Sequence, residues 1–181
     1  MNFRVIPFAL ALLLSACGFH LMGVRPLPEA LQRVFIDSTQ PYRVSEPPVE
    51  GVLRGLLQRR GAEVVDSADA GVTVIRLTSV SENREVLSIG TDNKVLEYRV
   101  VTNVSYQVFN GAKELVPPNT LSMSRSYSYN PQTALAEEIK EARLREYMQK
   151  ELAELLMLRL DSALMPKADA PAALPGATLA P

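Results

Sequence analysis

The chain has 181 residues, a formal net charge of −1 and an apolar fraction of 47%. So balanced a charge provides no basic field that would draw the protein to nucleic acid or to an anionic bilayer. A single cysteine excludes an internal disulfide, and no Cys/His/Asp/Glu cluster has metal-ligand spacing, so neither a metal nor another cofactor is expected.

Residues 1–16 read as an export signal. Met1-Asn2-Phe3-Arg4 carries the terminal amine and an arginine, Val5 to Leu14 is apolar, and Ser15-Ala16 supplies small residues before Cys17. A spanning helix needs about 20 apolar residues, and this run has ten and includes Pro7. Leu14-Ser15-Ala16-Cys17 resembles the bacterial lipobox, in which cleavage precedes a cysteine that becomes acylated. Lipidation of Cys17 would also account for a lone cysteine in an exported protein. One acyl chain binds a membrane only marginally, and further chains make the anchor stable. A secretory signal with a cysteine beside it by chance is the plainer alternative.

Residues 17–32 are expected to be anchor and tether, residues 33–165 a single domain, and residues 166–181 a disordered Pro/Ala-rich tail. Arg33 to Asp37 is β-branched and aromatic and predicts the first strand. A proline-interrupted loop follows, from Thr39 to Pro48. Val49, Val52, Leu53, Leu56 and Leu57 then form one helical stripe, started by Pro47-Pro48 and stopped at Gly61.

A second strand begins at Val72 and extends toward Leu87. Gly90-Thr91-Asp92-Asn93 is turn chemistry, so the next strand closes a long hairpin. Leu96, Tyr98, Val100, Thr102, Val104, Tyr106 and Val108 lie on one face of that strand, opposite Glu97, Arg99, Asn103, Ser105 and Gln107. Such alternation implies one covered and one open sheet face. After a turn at Asn110-Gly111 and a Pro117-Pro118 loop, Leu121 to Tyr129 predicts a fourth strand, with serines at 122, 124, 126 and 128 on one side. Asn130-Pro131 reads as a helix N-cap followed by proline at the first helical position. The helix it opens runs to about Leu164, with Leu135, Ile139, Leu144, Met148, Leu152, Leu155, Leu156 and Leu160 near one stripe. Glu141–Arg145 and Glu146–Lys150 are read as i, i+4 pairs on its polar side. The expected fold is α+β, a two-layer sandwich with two helices on one face of a four-stranded mixed sheet.

Catalytic chemistry fails by inventory. His20 sits three residues from the anchor, the strand serines are not in a nucleophile elbow, and Gly51 to Gly55 is neither a P-loop nor a dinucleotide fingerprint. No enzyme is expected.

Cys17-Gly18-Phe19-His20-Leu21, the hairpin strand opening Leu96-Glu97-Tyr98, and Asn130-Pro131-Gln132-Thr133-Ala134-Leu135-Ala136 resemble the LptE family of lipopolysaccharide-assembly lipoproteins. That resemblance, with Gly18 rather than an acidic residue after Cys17, implies a lipid-anchored protein of the outer membrane facing the periplasm. It implies a complex with the β-barrel protein LptD, which the lipoprotein plugs and helps assemble for inserting lipopolysaccharide into the outer leaflet. It also points to basic residues near the hairpin tip and the last helix, here Arg84, Lys94 and Lys140, as contacts for lipopolysaccharide. Asp92 and Glu137-Glu138 beside them depart from a purely basic pattern, and ordinary solvated charge is the plainer reading of each. A lipid-binding or carrier lipoprotein of the periplasm, without a barrel partner, is the alternative function.

Overall fold

The computed structural model describes residues 26–38 and 46–165. The signal segment, Cys17, His20, the C-terminal run and most of the Thr39–Pro48 loop lie outside the described residues. Five strands form one sheet: β1 (Arg33–Ser38), β2 (Glu63–Val65), β3 (Thr73–Ile89), β4 (Val95–Asn110) and β5 (Lys113–Ser128), in the spatial order β2-β1-β3-β4-β5. β1 runs parallel to both β2 and β3, whereas β3, β4 and β5 form an antiparallel meander. The sheet is mixed, as expected, but it has a fifth strand. β2 is only three residues long, too short for alternation to show, and exists because Arg33, Val34 and Phe35 offer it a parallel edge.

Helix α1 (Pro48–Arg59) buries Val49, Leu53 and Leu57. Its end is a Schellman motif: Ala62 N–H donates to Leu57 O at 3.0 Å and Gly61 N–H to Gln58 O at 3.0 Å. Gly61 has φ 91°, which its missing Cβ permits. At the other end no side chain of its own caps α1. Gln149, from the second helix, accepts from Val49 N–H at 3.3 Å and does this instead.

The second helix, α2 (Ala134–Leu164), follows a 3-10 turn at Pro131–Thr133, where Asn130 Oδ1 accepts from Gln132 N–H at 3.0 Å. Both helices lie on the same sheet face. Their leucines join Val34, Ile36, Ile75, Leu77, Val104, Tyr106 and Val108 in one buried cluster. Leu31 is wholly buried in that cluster and Leu27 packs against it. The tether boundary expected at residue 32 is therefore too late, because these two side chains belong to the core.

Pro117-Pro118 lies inside β5 rather than in a loop. Between Val108↔Val116 and Tyr106↔Asn119 the two prolines face the single residue Gln107, which is a bulge. Proline is tolerated there because β5 is an edge strand, with no outer neighbour needing its amide protons.

Candidate functional site

The β3–β4 hairpin is longer than the core beneath it. Pairing runs from Thr73↔Asn110 at the base to Ile89↔Val95 at the tip, but the main cluster ends near Val104 and Leu121. Beyond it lies a second cluster with three buried members, Val100, Tyr127 and Met148. Thr102, fully buried, separates the two, and its hydroxyl has no hydrogen-bond partner among the described residues.

Charge holds this distal part to α2. Glu141, 8% exposed, lies where the helix crosses β5. Its Oε2 accepts from the Tyr127 hydroxyl at 2.5 Å and from Arg84 Nη1 at 2.9 Å, and its Oε1 from Arg145 Nε at 2.9 Å. Arg145 reaches on to Glu82 Oε2 at 3.2 Å, and Gln149 Nε2 donates to Glu82 Oε1 at 3.0 Å. Gln149 caps α1, so one chain of polar contacts links β5, α2, β3 and α1. Burial alone would raise the Glu141 carboxyl, but hydrogen bonds from Tyr127, Arg145 and Arg84 overcome it and hold the group at about 2. Burial, followed by the bond to Glu141, pushes the Tyr127 hydroxyl up to about 12.

Arg84 and Lys140 are brought together around this cluster; Lys94 is not. Besides pairing with Glu141, Arg84 stacks 4.5 Å from the centre of the Tyr98 ring. Lys140 Nζ donates to Ser128 O at 3.1 Å and Glu137 Oε2 at 3.3 Å, and stands 5.5 Å over the Tyr127 ring. Lys94 lies in the hairpin turn and pairs with Asp92 at 3.1 Å. All three cations have a carboxylate partner, so an incoming anion would have to compete for each. Arg143 was missed by the sequence reading: it lines a cleft of about 300 Å³ with Ala136, Ile139 and Lys140.

The Glu141–Arg145 pair does form, but not on a solvated face. The extra length of β3 brings Glu82 and Arg84, and that of β5 brings Tyr127, against that side of the helix, so the pair points inward. Leu135 and Ile139, expected on or near the buried stripe, are 73% and 51% exposed.

The opposite sheet face carries small polar rows. Ser81, Asn103 and Ser122 align across three strands, as do Glu85, Arg99 and Ser126. Ser105 and Thr120 hydroxyls meet at 2.9 Å, and Ser122, Ser124, Ser126 and Ser128 are exposed. Toward the base the face turns apolar through Val65, Phe35, Val74 and Phe109, where Arg76 covers the Phe109 ring at 4.7 Å.

Two helices over one face of a mixed five-stranded sheet, with a long hairpin, define a small two-layer α+β domain. The crystal structure of rare lipoprotein B from Shewanella oneidensis superposes with a TM-score of 0.61 at 26% identity, over 72% of this chain and 94% of that one. The solution structure of an uncharacterized lipoprotein B from Nitrosomonas europaea has the same fold, with a TM-score of 0.64 at 21% identity over 80% of this chain and 91% of that one. The model of the LptE lipopolysaccharide-assembly family matches residues 31–160. LPS-assembly lipoprotein LptE of Pectobacterium atrosepticum is 32% identical over 153 residues, 83% of this chain and 80% of the relative. The namesake protein of Photorhabdus laumondii is 30% identical over 163 residues, 88% and 87% of the two chains. This chain belongs to the LptE family.

Proposed function

We propose that the protein is a non-enzymatic lipoprotein of lipopolysaccharide assembly. It is held at the outer membrane, facing the periplasm, by lipid on Cys17, and complexed with the β-barrel protein LptD. The observation that carries this reading is the family match across residues 31–160. No helix among the described residues is long and apolar enough to cross a membrane.

The plugging role is supported by the open sheet face. The lumen of a large barrel is lined with polar side chains. Rows of serine, threonine and asparagine lie flat and can exchange hydrogen bonds with such a wall without burying an unpaired charge. A carrier of acyl chains would need an apolar cavity between helices and sheet. Here the leucines of both helices meet the sheet side chains directly in one cluster, which favours the plug over the carrier.

Arg84 and Lys140 would meet the anionic groups of lipopolysaccharide, with Lys94 at the hairpin turn as a third contact. Co-purification from detergent-solubilised membranes tests the main reading: the expected result is recovery with a large barrel protein. Recovery free of any barrel, while other envelope complexes survive, overturns it. A photo-crosslinker at Ser124 should then mark the barrel if the open face is the contact.

A further inference from the structure

We propose that residues Ala134–Arg145 form a strap, latched to the hairpin by Glu141, that lifts as one unit about a pivot near Met148. Three observations converge on this. From Ala134 to Lys140 every side chain is exposed except the half-buried Glu137. Below them, the apolar contact of the helix with β4 and β5 is the second cluster, Val100, Tyr127 and Met148, edged by Tyr98, Tyr129, Met123 and Leu144. Between these two lies Glu141, whose carboxylate gathers Tyr127 from β5, Arg84 from β3 and Arg145 from its own helix.

A contact of this make-up has two preferred states rather than a continuum. In the closed state the carboxylate has every donor within reach, and a cleft of about 180 Å³ lined by Arg84, Glu138, Glu141, Ala142 and Arg145 remains beside it. Withdrawing Glu141 slightly would leave a half-satisfied charge among apolar groups, which is unfavourable. Withdrawing it fully returns the carboxylate and both guanidiniums to water, so most of the lost interaction is recovered by hydration. Farther along the helix no such recovery exists: Leu152, Ala153, Leu156 and Leu160 are wholly buried in the main cluster, and separating them would expose apolar surface with nothing in return. Opening therefore stops near Met148 and uncovers Tyr98, Val100 and Leu144.

Native-state hydrogen exchange on the full mature chain, followed against low urea concentrations, tests the proposal. Helix-bonded amides in the strap should share one protection factor, about a hundredfold or more below that of Leu152–Leu160 and with a shallower urea dependence, as expected of a sub-global opening. Glu141→Gln should speed strap exchange by about tenfold or more, the loss expected for hydrogen bonds to a charged group. Core amides, which open only in states where the latch is already lost, should shift by the same factor. Tyr127→Phe, which removes one donor and keeps the ring, gives a smaller shift in the same direction and serves if the Gln variant does not fold. A smooth rise in protection along the helix would mean simple end fraying and overturn the unit. Equal rates and urea slopes in strap and core would overturn the local opening, and strap rates indifferent to both substitutions would overturn the latch.

Discussion

The two ends of this domain are held together by different physics. At the base, both helices and all five strands supply side chains to a cluster that contains Leu53, Leu57, Leu77, Leu152, Leu156 and Leu160, each 0–1% exposed. At the distal end, three buried residues and a set of charge-assisted hydrogen bonds do the same task for a longer stretch of hairpin. Apolar burial is non-directional and proportional to area, so the base tolerates small displacements and resists separation. The distal contact depends on geometry and on protonation state, so it is specific in register but separable.

The sharpest way to break the comparison is at the base. Leu156→Ala should lower unfolding stability by about 3–4 kcal/mol, as deletion of a fully buried leucine does, seen as a large drop in the urea midpoint with an unchanged slope. A loss under about 1 kcal/mol would show that the base is not the dominant core.

Glu141→Gln comes next, at about 2 kcal/mol near neutral pH, since it strips charge from a carboxylate with three donors. Its effect should fade with acid. The folded carboxyl sits at about 2, below its ordinary 4.5, so the unfolded chain takes up the proton first and stability falls as pH drops through that window. The urea midpoints of wild type and variant should converge between about pH 4.5 and 2; a constant gap would mean that the ionised carboxylate is not the source.

Tyr127→Phe should cost about 1 kcal/mol, the usual net worth of one hydrogen bond, and should be smaller than the Glu141 effect because the ring stays in the second cluster. Leu135→Ala should change stability by under about 0.5 kcal/mol, because the side chain is 73% exposed. A substantial loss there would mean that the first turns of α2 are packed after all.

Much of this architecture was legible before any coordinates. The strict alternation of β4 is borne out from Val100 to Val108, all of whose even-numbered positions are buried. Asn130-Pro131 and Gly61 mark helix ends because capping and left-handed backbone are local chemistry. The candidate site was legible only in part. Arg84 and Lys140 were singled out and do cluster, but Glu141, the residue that organises them, looked like one more acidic position on a charged helix.

What the sequence by itself determined is therefore whatever depends on neighbours within a few residues: the helices, the hairpin, its turn and the family signature. Tertiary structure decided the rest. The three-residue β2 and the Pro117-Pro118 stretch of β5 are strands because partners already in the sheet receive them. Glu141 faces inward because a sheet that outruns its core carries Arg84 on β3 and Tyr127 on β5 to that side of α2. Local patterns report which face of an element is apolar; only the packed chain reports how far the opposing element extends, and that extent decides whether a charge at position 141 is solvated or held.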